Sequence, residues 1–154
     1  MNNKKSAFTM IELVFVIVVL GILSAVAIPR FAATRTDAHI AKFRSDVSSV
    51  RSGIATERQS RLLTGSAAFV PNGTGTYTVN GVTYKQMDNG GFFGGVLTYP
   101  ISASSGDDGW SGTAGSGRYT LKVGGTSTTF DYNATSGTFN CTASSSNYCD
   151  KLTK

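Results

Sequence analysis

The chain has 154 residues, of which 15% are charged, 18 are glycine and 3 are proline, with two cysteines and a formal net charge of +5. Little length remains for a large core once an N-terminal segment is set aside, and the glycine-rich, proline-poor composition suits a turn-rich β domain better than a helical bundle. The net charge is weak support for a nucleic-acid surface because the excess is local: residues 30–61 hold seven basic and three acidic side chains, whereas five basic residues balance five acidic ones from Leu62 onward.

Residues 1–7 are polar and basic, carrying Lys4 and Lys5 and no acid. An apolar run of 21 residues, 8–28, follows and is interrupted by a single carboxylate, Glu12. As a helix the run spans about 31 Å, enough to cross the hydrocarbon of a bilayer once. A carboxylate in such a segment costs about 2.5–3.5 kcal/mol at mid-span if unpaired, so Glu12 needs a partner or a purpose. The lysines, the apolar core and Ala25-Val26-Ala27 also imitate a removable secretory signal, but Glu12 at the start of the core and the length of the run speak against it.

After Pro29, Ile40, Phe43, Val47, Val50 and Ile54 recur at steps of three and four, the spacing of one helical face. Arg44, Arg51 and Arg58 repeat every seven residues along its edge. Such an edge is ordinarily solvated, with the stems lying on apolar surface; its functional version would meet acidic groups of neighbouring chains or an anionic polymer. Glu57 and Arg61 make an i,i+4 pair, and Thr64-Gly65 supplies a stop signal. One helix over 9–63 would be about 80 Å long, more than so small a domain can cover. Its first half must find lipid or other chains, and its second half can lay its stripe on the C-terminal domain. Gly21 and Pro29 are the weak points of the rod; they predict a kink or, when subunits pack, a segment 21–29 that melts or stretches.

The remainder reads as strands. Residues 77–84 form a hairpin, since Asn80-Gly81 accepts the positive φ angles of a tight turn between alternating residues. Residues 96–101 are a further strand candidate, and 118–123, 127–132 and 138–141 form a meander with one buried face, for which the helical stripe is the natural lid.

Catalytic chemistry has little to draw on: His39 is the only histidine and has no nucleophile near it in sequence. Asp107 and Asp108 in a glycine-rich loop could offer oxygens to calcium but lack the spaced ligand series, so no metal and no cofactor is expected. Cys141 and Cys149 lack zinc-site spacing and companion histidines and predict a disulfide in an oxidising compartment, closing a short loop worth about 2–3 kcal/mol. Asp131-Tyr132-Asn133-Ala134-Thr135 is similar to the acidic acceptor site of bacterial N-glycosylation and falls at a predicted turn.

The segment Ala7-Phe8-Thr9-Met10-Ile11-Glu12-Leu13, preceded by a lysine-bearing leader and continuing as an apolar helix, resembles the class III signal of type IV pilins and pseudopilins. The resemblance implies an α+β fold: a long N-terminal helix packed on a small antiparallel β-sheet head closed by a C-terminal disulfide loop. It divides the chain into a leader (1–7), a transmembrane and filament-core helix (8–29), an amphipathic continuation (30–63) and the head (64–154). It further implies cleavage between Ala7 and Phe8 by a membrane prepilin peptidase, with N-methylation of Phe8; the family's usual glycine before the cut is alanine here. Glu12, Gly21 and Pro29 match typical family positions. Glu12 would pair with the new amine of Phe8, about 6 Å away along the axis within one helix, or with that of a neighbouring subunit.

The function implied is a non-enzymatic filament subunit, either a pseudopilin of a type II secretion system or a pilin of a type IV pilus. It would be held in the bacterial inner membrane with its head in the periplasm. Its partners would be copies of itself, related pilin subunits, the peptidase and an inner-membrane assembly platform. Gly109-Trp110-Ser111-Gly112 is reminiscent of the tryptophan-glycine turn of secretion pseudopilins. A DNA-uptake filament is one alternative; a single-pass anchored β binding module, or an enzyme released after signal removal, would be of another class.

Overall fold

Helix α1 (Met10–Leu63) carries both halves of the apolar pattern. In the computed structural model, which describes residues 8–142 and 148–153, this helix is continuous through Gly21 and Pro29. The chain divides into a first unit, Met1–Asp37, and a second, Ala38–Lys154. The described part of the first unit is helix with its apolar side chains exposed; the second holds the remainder of α1 and everything after it.

Within the second unit the predicted stripe is the buried face of α1: Ile40, Phe43, Val47, Val50 and Ile54 are all inside. The helix ends in a Schellman motif, with the Ser66 N–H donating to the Arg61 carbonyl (2.9 Å) and the Gly65 N–H to that of Leu62 (3.1 Å). Gly65 takes φ +84°, a conformation open to glycine at little cost.

Strands β1 (Thr76–Val79) and β2 (Val82–Lys85) pair as the expected hairpin, Val79 opposite Val82, with Asn80 at φ 51° and Gly81 at φ 80°. A separate antiparallel sheet holds β3 (Gly109–Gly112), β4 (Arg118–Val123), β5 (Thr126–Asn133) and β6 (Thr138–Cys141) in sequential order. The alternation read from the sequence holds: Tyr119, Leu121 and Val123 of β4, Phe130 and Tyr132 of β5 and Phe139 of β6 are buried. They share one core with the helical stripe. Phe93 stands at its centre, its ring 4.4 Å from that of Tyr119, 5.3 Å from Phe139 and 5.5 Å from Trp110.

Three elements depart from expectation. Residues 96–101 are not a strand: this stretch turns on itself, with Val96 and Leu97 both donating to the Phe93 carbonyl, and only Ile101 makes a bridge, to Phe92. Gly53 of α1 explains the placement, since a Cβ there would lie 2.5 Å from the Val96 carbonyl oxygen. The stretch lies directly on helix backbone, where it serves as a packed loop. Conversely, Gly109–Gly112, read as a turn, is strand β3, and Trp110 is 1% exposed within the core. A short helix, α2 (Cys149–Thr153), was not foreseen; the Cys141–Cys149 disulfide, Cα atoms 5.7 Å apart, ties it to β6, and its Leu152 is buried.

The arginine edge is engaged within the second unit. Arg44 donates through Nε to the Lys151 carbonyl (2.9 Å), and Arg51 through Nε and Nη2 to that of Phe139 (3.1 and 3.0 Å). The Arg58 guanidinium lies 3.7 Å over the Phe69 ring. Phe139 belongs to edge strand β6, so Arg51 supplies a donor to an edge carbonyl that would otherwise face solvent or another strand.

Candidate functional site

The first turn of α1 is built by Thr9-Met10-Ile11-Glu12. Thr9 occupies the N-cap: its Oγ1 accepts from the Glu12 backbone N–H at 3.3 Å, while the Glu12 carboxylate reaches back and accepts from the Thr9 N–H (2.9 Å) and Oγ1–H (2.8 Å). This is a reciprocal capping box, a motif that satisfies otherwise orphaned helix donors, and N-caps of this kind contribute about 1 kcal/mol. The signal, threonine followed three residues later by glutamate before an apolar run, stands in the sequence. Glu12 is therefore not idle within the subunit. Phe8 precedes the cap, and its nitrogen in the uncut chain is a peptide amide with no charge to offer.

Around this acid the helix surface is apolar on every side. Phe8 is 84% exposed, and Ile11, Phe15, Ile22 and Ile28 are all more than half exposed, as is Phe31. A helix apolar all round is a membrane span or the core of something larger, and α1 has the length and hydropathy to cross a bilayer near its N-terminus. Beyond its own turns of helix backbone, Gly21 has no atom within 4 Å of the position its Cβ would take, so among the described residues no packing contact demands glycine there. Pro29 lacks the N–H that the Ala25 carbonyl would accept, and one turn on, Thr34 Oγ1 bonds the Arg30 carbonyl at 2.9 Å. Ala7, the other half of the expected cleavage site, lies outside the described residues.

The remaining candidates resolve into packing. Asp108 Oδ1 accepts from the Gly124 N–H (2.8 Å), and its Oδ2 stands 3.8 Å from His39 Nε2. The Asp107 carbonyl accepts from Gly125. Among the described residues no group of three or more His, Cys, Asp or Glu side chains is placed to hold a metal. Beside Asp108 lies a cleft of about 570 Å³ whose lining includes His39, Lys42, Asp46 and Trp110; Asp46 is occupied there as acceptor for the indole N–H at 3.1 Å.

Of two buried polar groups, the sequence showed Arg61 only as the partner of Glu57 and gave no sign of Asp88. Arg61, fully buried, donates to Glu57 Oε1 (3.2 Å) and to the carbonyls of Phe69 (2.8 Å) and Lys85 (3.3 Å). Asp88, 1% exposed, accepts from the Phe93 and Gly115 N–H groups and the Tyr119 hydroxyl. Burial, then the adjacent Asp88 charge, push the Tyr119 hydroxyl far above its ordinary value. Burial likewise raises Tyr132, to about 12, where its hydroxyl donates to the Val70 carbonyl. These groups hold the segment 64–108, hairpin included, to the helix and sheet.

Residues 2–28 match the prokaryotic N-terminal methylation motif. The chain is 37% identical over 89 residues to the type IV narrow pilus major component PilA5 of Thermus thermophilus, a match spanning 56% of this chain and 74% of that protein. No solved structure matches.

Proposed function

The chain belongs to the type IV pilin family, and from that premise we propose that it is a pilin of a type IV pilus. It is a structural, non-enzymatic subunit with the α+β fold of that family. The observation that carries the reading is the apolar first half of α1, exposed on all sides and bearing one carboxylate at its start. In a bilayer those side chains meet lipid; in a filament they meet the same surface of other copies. Exchange of lipid for protein leaves apolar transfer nearly balanced, so close packing and the polar group decide register. A repeated head-to-tail contact of this kind builds a helical fibre where its rotation does not close into a ring.

In this proposal prepilin peptidase cuts between Ala7 and Phe8 and the new amine is methylated. The amine then competes with Thr9 for the Glu12 carboxylate, within a subunit or across to a neighbour, and neutralises a charge that costs about 2.5–3.5 kcal/mol in hydrocarbon. The domain limits follow: leader 1–7, filament-core helix 8–29, amphipathic helix 30–63, and a head 64–154 on the periplasmic side. Gly21 and Pro29 are the proposed yielding points, and an inner-membrane platform the proposed assembly partner. The pilus is preferred to a secretion apparatus because the relative is a pilus component and because Trp110, the residue reminiscent of pseudopilins, is a core residue of β3. A DNA-uptake filament stays the alternative reading; Arg44, Arg51, Arg58 and Arg61 make their contacts within the second unit.

Mass spectrometry of the main band of sheared surface filaments tests this. A mature chain beginning at Phe8 with one added methyl group is expected. A chain beginning at Ile28, or filaments that lack the protein, would overturn it.

A further inference from the structure

Three Asn-x-Ser/Thr triplets occur in the chain: Asn72-Gly73-Thr74, Asn133-Ala134-Thr135 and Asn140-Cys141-Thr142. Such a triplet can accept a glycan only where the amide nitrogen reaches solvent on a surface segment able to enter a transferase. The structure separates the three. Asn72 is half-buried, its Oδ1 is shut from solvent, and its amide lies against Gly117, where a Cβ would meet Nδ2 at 2.6 Å. Asn140 is exposed but sits within β6 opposite Asp131; Cys141 after it is held in the disulfide, and the Thr142 N–H is bonded to the Thr129 carbonyl (2.9 Å). Neither segment is free to bend.

Asn133 closes β5 at an outward turn. Its Oδ1 accepts from the N–H groups of Thr135 (2.8 Å) and Ser136 (3.2 Å), which fixes the amide carbonyl over the turn and directs the NH₂ away from it. Asn133, Thr135 and Ser136 are exposed. The other side of the turn is anchored: Ala134 packs against the core, and Gly137, at φ +69°, lies against the Phe69 ring with no room for a side chain. Strand alternation places Asp131 on the same outer face as Asn133, opposite the buried Phe130 and Tyr132, and Arg118 pairs with it at 2.8 and 3.1 Å.

The geometry points to Asn133 as an acceptor for N-linked glycosylation, its donor a sugar activated at C1 by a diphosphate leaving group. The C1–O bond to diphosphate breaks, a C1–N bond to Asn133 Nδ2 forms, the diphosphate departs with the electron pair, and the amide gives up one proton to a base of the transferase. The product is an amide-linked glycan on the outer face of the sheet. The reaction requires export of the second unit but does not depend on which filament the chain builds.

The test is site-localised mass spectrometry of the full-length protein from the cells that make it. The peptide containing Asn133 is expected to carry a glycan on that residue, with Asn72 and Asn140 bare. Asn133→Gln and Thr135→Val should abolish the added mass; Thr135→Ser should retain most of it. Only unmodified Asn133 in the unaltered protein, or a glycan that survives Asn133→Gln and therefore lies on Thr135, Ser136 or elsewhere, would overturn the assignment. The unaltered protein decides even if a variant folds poorly. Filaments that contain the unmodified chain would refute the glycan while leaving the pilus reading standing.

Discussion

Between Ile11 and Ile28 the large apolar side chains of α1 are 36–78% exposed, whereas the five stripe residues between Ile40 and Ile54 are 0–7% exposed. Both stretches belong to one continuous helix, so backbone preference does not distinguish them. What differs is the arrangement of polar groups. The second stretch is amphipathic, and its arginines reach the carbonyls and rings of the same unit. The first is apolar on every side, and its one acid can satisfy only the helix's own first turn. Secondary structure is thus decided locally in both halves, while the destination of the side chains is decided within the chain in one half and outside it in the other.

The largest expected effect breaks the comparison on its unpartnered side. Glu12→Ala should leave the protein cut and inserted but lower filament yield at least about tenfold, the equivalent of about 1.4 kcal/mol per subunit addition. Sheared-filament yield against total membrane protein measures it; yield equal to the unaltered chain would show that apolar packing alone sets register. Thr9→Val is the control, since it removes the capping hydroxyl while keeping the carboxylate, and it should assemble far better than Glu12→Ala.

On the partnered side, Arg61→Met should lower the stability of the second unit by about 3 kcal/mol. That is the low end for removing one member of a buried pair, because Glu57 keeps some water and the larger loss is the donor to the Phe69 and Lys85 carbonyls. Thermal unfolding of the detergent-solubilised chain, followed by near-ultraviolet circular dichroism, reads it. An unchanged midpoint would mean that those carbonyls find water.

A matched pair sharpens the contrast further. Gly→Ala gains up to about 1 kcal/mol of helix propensity at either site. At Gly53 the new Cβ would press on the Val96 carbonyl at 2.5 Å, backbone that cannot swing aside, and overpacking of that kind costs about 1–3 kcal/mol. The net expectation is destabilisation by about 1 kcal/mol. At Gly21 nothing opposes the gain, so Gly21→Ala should leave the unfolding midpoint unchanged and helicity equal or higher. The same sign at both positions would erase the distinction between the two halves.

Legibility in the sequence followed periodicity. The stripe of α1, the Asn80-Gly81 hairpin and the β4–β6 meander repeat a pattern over enough residues to be read. Strand β3 does not: Gly109 and Gly112, at φ +127° and +140°, bracket only Trp110 and Ser111, and pairing with β4 makes them a strand. The apolar content of residues 96–101 misled in the other direction, because a loop pressed on Gly53 is as apolar as a strand. Arg61 was legible only as half of an i,i+4 pair, since its other acceptors are carbonyls that any residue could supply. Helix α2 has five residues and begins at a disulfide, which gives periodicity nothing to work with.

The smallest expected effect concerns a well-formed ion pair on the outer face of the sheet. Arg118 donates through Nε and Nη2 to the two carboxylate oxygens of Asp131, and these hydrogen bonds hold the Asp131 carboxyl below its usual range, against the opposing effect of burial. The same bonds raise Arg118, so the two partners agree in direction. Because the folded value is depressed, the folded state binds this proton less readily than the unfolded chain. The pair's contribution is therefore complete above the unfolded value near about 4 and is lost as pH falls through the lower folded value. Asp131→Asn should lower the midpoint slightly at pH 7 and flatten its decline below about pH 4, with the pH 7 difference shrinking in high salt because Arg118 stands in water. An identical acid limb in both proteins would mean that the pair forms without favouring the fold.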